Sequence, residues 1–302
     1  MAAIRLRSLH KSYGQRPALT DIDLDIERGE VFGYLGPNGA GKTTTIRILL
    51  GLLRPSAGSA EVVGLDSWRD AIGVHARTGY VAGEPGFWER LTGFETVTYL
   101  ARLRDAPAQV AAARDLAERL GLDLDRQVRT LSKGNRQKLA IIQAFMGSPD
   151  VLVLDEPTTG LDPLVQQEFH HLVRESTARG ATVLLSSHLL DDVQRTADRV
   201  GIIRDGRLVT VERLDDLRAK AIHHLTARLD GPFDRSAFAA VPGIRELHFE
   251  RGSIDCRVPA ASLDQIIKLL ARSHVNDVSI TEADLEEMFL SYYAAEGSVD
   301  AA

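Results

Sequence analysis

The feature that most constrains this chain is the glycine-rich stretch Gly36-Pro37-Asn38-Gly39-Ala40-Gly41-Lys42-Thr43-Thr44. It follows the apolar segment Val31–Leu35 and leads into Thr43–Leu53, whose apolar residues continue at helical spacing. A Gly-x-x-x-x-Gly-Lys-Thr loop between a strand and a helix offers its backbone N–H groups and the positive helix end to phosphates. The pattern predicts a P-loop that binds ATP with Mg²⁺. The residues predicted to bind the nucleotide are Gly36, Asn38, Gly39, Ala40, Gly41, Lys42, Thr43 and Thr44.

Two side chains of this loop are predicted to contact the phosphates or the metal ion directly. Lys42 is predicted to place a positive charge on the phosphates, which makes it a binding and a catalytic residue. Thr43 is predicted to supply a hydroxyl ligand for Mg²⁺. A glycine-rich surface turn is the alternative interpretation, and the flanking strand and helix disfavour it.

The composition sets limits on the class of protein. The 302 residues are 44% hydrophobic and 26% charged, which suits a globular core and a smaller second domain. The net charge of −6 gives no basic surface for nucleic acid, so we expect no nucleic-acid partner. One cysteine, no signal-peptide pattern and no apolar run of about 18 to 20 residues predict a cytoplasmic protein that does not cross a bilayer.

The order of the patterns predicts an α/β fold. Ile4–Leu9 and Asp21–Ile26 alternate like half-buried strands and are expected to pair antiparallel. From about 86 to 147 helical spacing dominates, which predicts a helical subdomain inserted into the sheet domain. Val151–Leu154 and Ala181–Ser186 are unbroken apolar runs, typical of parallel strands covered on both faces. We assign residues 1–215 to this domain.

A second domain is predicted over residues 216–293. Strands over 223–229, 244–250, 253–258 and 275–281 alternate with helices over 234–240 and 262–272, which gives the order βαββαβ. This order predicts a small α+β domain of ferredoxin-like type. A further helix is expected around 285–293, followed by a disordered tail over 294–302.

Two carboxylates follow the apolar strand Val151–Leu154. A carboxylate at the carboxyl end of a core strand beside a P-loop holds Mg²⁺, and a second one orients and deprotonates the attacking water. We therefore predict Asp155 as a metal residue together with Thr43, and Glu156 as the general base.

Between the P-loop and this strand lies Leu131-Ser132-Lys133-Gly134-Asn135, which resembles the Leu-Ser-Gly-Gly-Gln signature of ABC-type ATPases. The resemblance covers roughly residues 3–215. It implies that Ser132 and Gly134 contact the nucleotide bound by a second copy of the chain, in a head-to-tail dimer with two ATP molecules at the interface. The fold it implies is a P-loop NTPase of ABC type with an antiparallel β subdomain and an inserted helical subdomain.

The same resemblance assigns three further residues. Tyr13 is expected to stack on adenine, Asp162 to contact the opposite subunit beside the nucleotide, and His188 to act as the catalytic switch histidine at the γ-phosphate. Two positions depart from the family pattern: Gly83 stands where a glutamine or glutamate is usual, with Glu84 next to it, and Lys133 replaces a glycine. A weakly hydrolytic ATP-driven switch therefore remains an alternative.

The resemblance further implies an ATPase subunit that powers transport through a separate transmembrane permease at the cytoplasmic face of the plasma membrane. Gly86–Glu95 and the segment 284–290 resemble antibiotic and multidrug exporters of the tetronasin and daunorubicin type, which predicts drug efflux. Phe87, Trp88 and Leu91 are expected to line the groove that receives the permease. A soluble ABC ATPase acting on ribosomes or DNA is the other alternative.

Overall fold

The structure, a computed structural model, describes residues 2–220, 222–231, 233–250 and 252–281. The chain forms two compact units, Met1–Val211 and Glu212–Ala302, whereas the sequence placed the division after residue 215. The helix predicted over 285–293 and the tail over 294–302 lie outside the described residues.

In chain order, the strands are β1 Ala2–Tyr13, β2 Arg16–Glu27, β3 Val31–Leu35, β4 Ala57–Val62, β5 Leu65–Asp66, β6 Thr78–Val81, β7 Val151–Asp155, β8 Thr182–Ser187, β9 Arg199–Arg204, β10 Arg207–Arg213, β11 Ile222–Asp230, β12 Arg245–Glu250, β13 Ser253–Pro259 and β14 His274–Thr281. The α-helices are α1 Lys42–Leu49, α2 Ala71–Arg77, α3 Gly93–Leu103, α4 Gln109–Leu120, α5 Lys133–Phe145, α6 Pro163–Ala178, α7 Leu190–Gln194, α8 Leu214–Lys220, α9 Arg235–Ala239 and α10 Leu263–Leu270. No helix among the described residues is long and apolar enough to span a membrane.

The first unit contains an antiparallel sheet with the strand order β2-β1-β4-β5. The predicted antiparallel pairing of the first two strands is confirmed, although both strands are longer than the alternating segments indicated. Ile22, Leu24 and Ile26 are buried because alternate residues of a strand share one face. Gly58 carries a positive φ of 77°, and a Cβ there would lie 2.1 Å from the carbonyl oxygen of Ser8, so only glycine fits.

The second sheet of this unit has the order β10-β9-β3-β8-β7-β6. β3 lies between β8 and β9 and is parallel to both, and β7 is parallel to β6 and β8. Every residue of β3 and β7 is buried, as expected for strands covered on both faces. Asp205 and Gly206 both have positive φ and form the two-residue turn between β9 and β10, as the Asp-Gly dipeptide favours.

The helical segment α3 to α5 is inserted between β6 and β7, which are neighbours in the parallel sheet. A capping box between Thr92 and Glu95 fixes the start of α3, and Gly121 in the left-handed conformation ends α4. The insertion therefore enters and leaves the sheet next to the strand that ends in Asp155.

The loop that follows β3 is held by a core shared between the two sheets. Phe32 and Tyr34 of β3 pack with Ile46 and Ile48 of α1 and with apolar residues of β1, β2, β4, β7 and β8. α1 is shorter than predicted: it ends at Leu49, because Gly51 turns the chain with a positive φ of 63°. The core thus fixes both ends of the glycine-rich loop.

The second unit contains an antiparallel sheet with the order β12-β13-β11-β14. Leu225, Ile254 and Cys256 of this sheet share a core with Phe238 of α9 and Ile266 of α10. The predicted ferredoxin-like order βαββαβ is confirmed within the described residues.

Candidate functional site

A cleft of about 170 Å³ lies over the loop between β3 and α1. Two residues outside the loop contribute: Ala18 of β2, and Glu156, which directly follows β7. The residues that line the cleft are Ala18, Pro37, Asn38, Gly39, Gly41, Lys42, Thr43, Thr44 and Glu156. Of the predicted loop residues, Gly36 and Ala40 are buried beneath it rather than lining it.

Glycine is required at two positions of this loop by close approach of the backbone. Gly41 precedes α1 with φ of 112°, and a Cβ there would lie 2.7 Å from Leu19 Cδ2 and 3.0 Å from the carbonyl oxygen of Ala18. A Cβ at Gly36 would lie 2.3 Å from the carbonyl oxygen of Ile203. The loop therefore packs directly on β2 and β9, and the first N–H groups of α1 remain available to a ligand.

Lys42 is 6% exposed and points back over the loop. Its Nζ donates to the carbonyl oxygens of Gly36 and Pro37, the latter at 3.3 Å. It also lies 3.4 Å from Oε1 of Glu156. The ammonium group is thus held inside the cleft by two neutral acceptors and one carboxylate.

A cluster of oxygen atoms lies beside the lysine. The hydroxyl of Thr43 donates to Oδ2 of Asp155 at 3.0 Å, and the hydroxyl of Ser186 donates to Oδ1 of the same carboxylate at 2.6 Å. Asp155 is 3% exposed, so its orientation is fixed by these two donors. Burial also raises the pKa of nearby Tyr80, with the charge of Asp155 as a second cause, to about 12. Hydroxyl and carboxylate oxygens of this kind suit Mg²⁺.

Glu156 and His188 form a pair at the edge of the cleft. Nδ1 of His188 lies 2.7 Å from Oε2 of Glu156. The Glu156 backbone has a positive φ of 48°, which is strained for a residue with a side chain, and its N–H donates to the carbonyl oxygen of Ser186 at 3.1 Å. The bend after β7 turns this carboxylate away from the buried face of the sheet and towards the cleft and the histidine.

The residues of the signature-like motif form a separate group outside the cleft lining. Ser132 caps α5, where its hydroxyl accepts from the Asn135 N–H at 3.3 Å. A Cβ on Gly134 would lie 2.7 Å from the carbonyl oxygen of Gly160, so the start of α5 packs on the segment that leads to Asp162. Asp162 caps α6 and accepts from the Val165 N–H at 3.0 Å. The start of α5 and the segment that leads to Asp162 are therefore packed together, but Ser132, Gly134 and Asp162 do not line the cleft of their own chain.

Two other predicted positions have distinct surroundings. Tyr13 ends β1 with 51% of its surface exposed and with Lys11 Nζ 5.4 Å from its ring centre, and it is not part of the cleft lining. At Gly83 an added Cβ would lie 3.5 Å from the carbonyl oxygen of Asp155, an ordinary contact distance. A Cβ therefore fits at this position beside Asp155 and Glu156, whereas Glu84 is exposed.

The polar residues that support this site through hydrogen bonds were not predicted from the sequence. Ser186 bonds Asp155, and Asp192 accepts from the hydroxyls of Thr158 and Ser187. Gln137 donates to the carbonyl oxygen of Pro157 at 3.0 Å. The one available signal was the pair of hydroxyls ending the apolar strand β8, because buried hydroxyls need partners.

Several known proteins are similar to this chain. Residues 19–159 match the family described as ABC transporter. A daunorubicin resistance ATP-binding protein of Streptomyces coeruleorubidus is 41% identical over 222 residues, which cover 72% of this chain and 70% of the relative. A bacitracin transport ATP-binding protein of Bacillus licheniformis is 34% identical over 229 residues, which cover 75% of this chain and 74% of the relative.

The fold is shared with solved structures as well. One described as the structure of the ATP binding subunit of an ABC transporter is 30% identical, with a TM-score of 0.68, and the match covers 72% of this chain and 92% of that chain. The predicted resemblance and the predicted fold class are thereby confirmed. The chain belongs to the ABC transporter family, as one of its ATP-binding, ATP-hydrolysing subunits.

Proposed function

We propose that this subunit powers the export of antibiotics or other drugs through a separate transmembrane permease. The observation that carries the proposal is the likeness to two ATP-binding proteins named for daunorubicin resistance and bacitracin transport. Daunorubicin and bacitracin differ in chemistry, so the likeness supports the class of cargo rather than one compound. The chain then acts on the cytoplasmic face of the membrane, attached through the permease.

In this proposal the phosphates of ATP lie in the cleft over the glycine-rich loop. Lys42 exchanges its bonds to the carbonyl oxygens of Gly36 and Pro37 for bonds to phosphate oxygens, and the N–H groups at the start of α1 receive the negative charge. Tyr13 lies on β1 and Ala18 on the paired strand β2, so both belong to the hairpin that flanks the loop. We assign Tyr13 to the adenine ring on this basis.

The oxygen cluster beside Lys42 fits a magnesium ion. Thr43 and Asp155 already converge to 3.0 Å, and Ser186 keeps the carboxylate oriented. A bound Mg²⁺ would neutralise charge that develops on the phosphates. We assign Thr43 as its hydroxyl ligand and Asp155 as the carboxylate that holds it.

Hydrolysis in this account depends on the pair at the edge of the cleft. Glu156 accepts the proton of the attacking water as general base, and such catalysis is typically worth about 10² to 10⁴ in rate. His188 holds the carboxylate through the 2.7 Å contact and presents its other ring nitrogen to the γ-phosphate. Catalytic roles are thus assigned to Lys42, Glu156 and His188.

A second copy of the chain completes the site. Ser132 and Gly134 lie at the N-terminus of α5, where backbone N–H groups suit an anion, but they are not part of the cleft in their own chain. Two chains arranged head to tail place the α5 N-terminus of one over the cleft of the other, with Asp162 at the same interface. Each nucleotide is then held by both copies.

The permease is proposed to bind the segment before α3. Trp88 is 53% exposed and packs edge-on against Tyr99, with ring centres 5.0 Å apart. Phe87 and Leu91 on the same segment are half-buried. An exposed aromatic side chain supported by a second ring suits the anchor of a protein interface.

The test begins with the tagged chain purified from membranes of its source organism. We expect a protein with several membrane-spanning segments to co-purify, and the complex to hydrolyse MgATP. In proteoliposomes the complex should move daunorubicin or bacitracin only when ATP is supplied, and Glu156→Gln should keep the complex intact but stop transport. Co-purification of ribosomes or DNA instead would support the soluble alternative, and normal assembly with no hydrolysis would support the weakly hydrolytic switch.

A further inference from the structure

Asp192 is a buried carboxylate that lies outside the cleft yet bonds two segments of the site. It belongs to the first turn of α7 and is 8% exposed. Its Oδ2 accepts from the hydroxyl of Thr158 at 2.7 Å and from the hydroxyl of Ser187 at 3.2 Å. One oxygen atom therefore joins two donors that are 29 residues apart in the chain, which no local turn brings together.

These two donors flank the catalytic pair. Thr158 follows Glu156 by two residues, and it lies in the segment that leads to Asp162. Ser187 directly precedes His188, and its hydroxyl also accepts from the Leu189 N–H at 2.9 Å. Asp192 is thus bonded to Thr158, two residues after the proposed general base. It is also bonded to Ser187, the residue before the histidine that contacts this base.

The segment after Glu156 is also held by a hydrogen bond from α5. Gln137, 2% exposed on α5, donates to the carbonyl oxygen of Pro157 at 3.0 Å. α5 begins at the signature-like motif, so this bond attaches the segment to the helix that meets the partner's nucleotide in the proposed dimer. Two residues therefore hold the segment Pro157–Thr158. Gln137, on the helix that begins at the signature-like motif, donates to Pro157, and Asp192 accepts from Thr158.

We propose that Asp192 is a positioning residue for ATP hydrolysis: by bonding Thr158 and Ser187 together it fixes His188 against Glu156. This inference rests on the catalytic roles proposed for Glu156 and His188. Small displacements of catalytic groups lower rates strongly, with about 10²-fold lost for a shift of about 1 Å. A buried carboxylate shared by two buried hydroxyls is suited to prevent such a shift, because its bonds are strong and shielded from water.

The kinetic test replaces Asp192 and each of its donors in the full chain. Asp192→Ala should lower kcat for ATP by about 10- to 100-fold with little change in KM. Asp192→Asn keeps an acceptor oxygen and should restore most of the loss. Thr158→Val and Ser187→Ala each remove one bond and should give smaller losses, which keeps the test valid if Asp192→Ala folds poorly. Asp191→Ala, an exposed neighbour on the same helix turn, is the matched control and should behave as wild type.

A double-variant comparison separates positioning from general damage. If Asp192 acts through His188, Asp192→Ala should cost little further in a His188→Ala background, measured by single-turnover hydrolysis. An equal loss in both backgrounds would overturn the proposal, and so would a wild-type kcat in Asp192→Ala.

Hydrogen–deuterium exchange gives a readout that does not depend on turnover. In Asp192→Ala the amides of residues 158–162 and of Leu189 should exchange faster together, whereas Asp191→Ala should leave them unchanged. Unchanged exchange in both segments would contradict the positioning role. If the wild-type chain does not hydrolyse ATP, that result counts against the proposed catalytic roles. The exchange measurement would still decide whether Asp192 holds the two segments together.

Discussion

Replacing Gly134 with alanine is expected to separate nucleotide binding from hydrolysis. The added Cβ would lie 2.7 Å from the carbonyl oxygen of Gly160, whereas ordinary contacts begin at 3.4 Å. Gly160 has φ of 79°, so its carbonyl belongs to a tight turn, and Gln137 ties α5 to the same segment. The start of α5 and the segment before Asp162 must therefore move apart by about 0.7 Å, or strain of about 1 to 3 kcal/mol must be absorbed.

In the proposed head-to-tail dimer, the consequence should appear where α5 meets the nucleotide of the other copy. A misplacement approaching 1 Å at such a contact costs up to about 10²-fold in rate, so we expect hydrolysis to fall by about 10- to 100-fold. Binding of MgATP to a single chain should be unchanged, because Gly134 is not part of the cleft lining.

Calorimetric titration with MgATP and a steady-state phosphate-release assay measure the two effects separately. Gly86→Ala is the matched control, since nothing lies within 4 Å of the Cβ it adds. Wild-type hydrolysis in Gly134→Ala would refute the packing argument. An equal loss of MgATP binding by the single chain would refute the separation into two half-sites.

Three further predictions concern the cleft and the core. Lys42→Ala removes a buried cation from the cleft and should weaken ATP binding by about 10- to 100-fold, measured by the same titration. Burial lowers the pKa of His170, so the unfolded chain takes up the proton first, and stability should fall as pH drops below about 6.5. In His170→Gln the unfolding midpoint should depend less on pH than in the wild type; equal slopes in the two proteins would contradict the assignment. Leu154→Ala leaves a cavity in β7 and should cost about 2 to 5 kcal/mol, read from tryptophan fluorescence during urea unfolding.

Much of the fold was predictable because its strongest signals are local. Unbroken apolar runs indicated β3, β7 and β8, and the Asp205-Gly206 dipeptide indicated the hairpin between β9 and β10. The sequence did not predict β6, a four-residue strand that contains Gly79. The reason is tertiary: a Cβ at Gly79 would lie 2.1 Å from the carbonyl oxygen of Ala144, so glycine is present to admit α5 rather than to form a turn.

The part of the candidate site that lies in short sequence motifs was also predictable. Lys42, Asp155 and Glu156 stand in short motifs, and each motif carries its chemistry in a few adjacent residues. Asp192 and Gln137 do not, because their importance depends on which carbonyl or hydroxyl the fold brings to them over long chain separations. Glu156 lies between these cases, since its residue type was predicted but its strained backbone was not.

In the proposed head-to-tail dimer, each chain contributes two complementary halves to a shared ATP site. The most direct test is the molar mass of Glu156→Gln, measured by light scattering during size-exclusion chromatography with and without MgATP. Without nucleotide we expect the mass of one chain, 33.0 kDa, and with saturating MgATP about twice that mass. The Lys42→Ala, Glu156→Gln double variant should remain single in both conditions. A single-chain mass for Glu156→Gln at saturating MgATP would contradict the account.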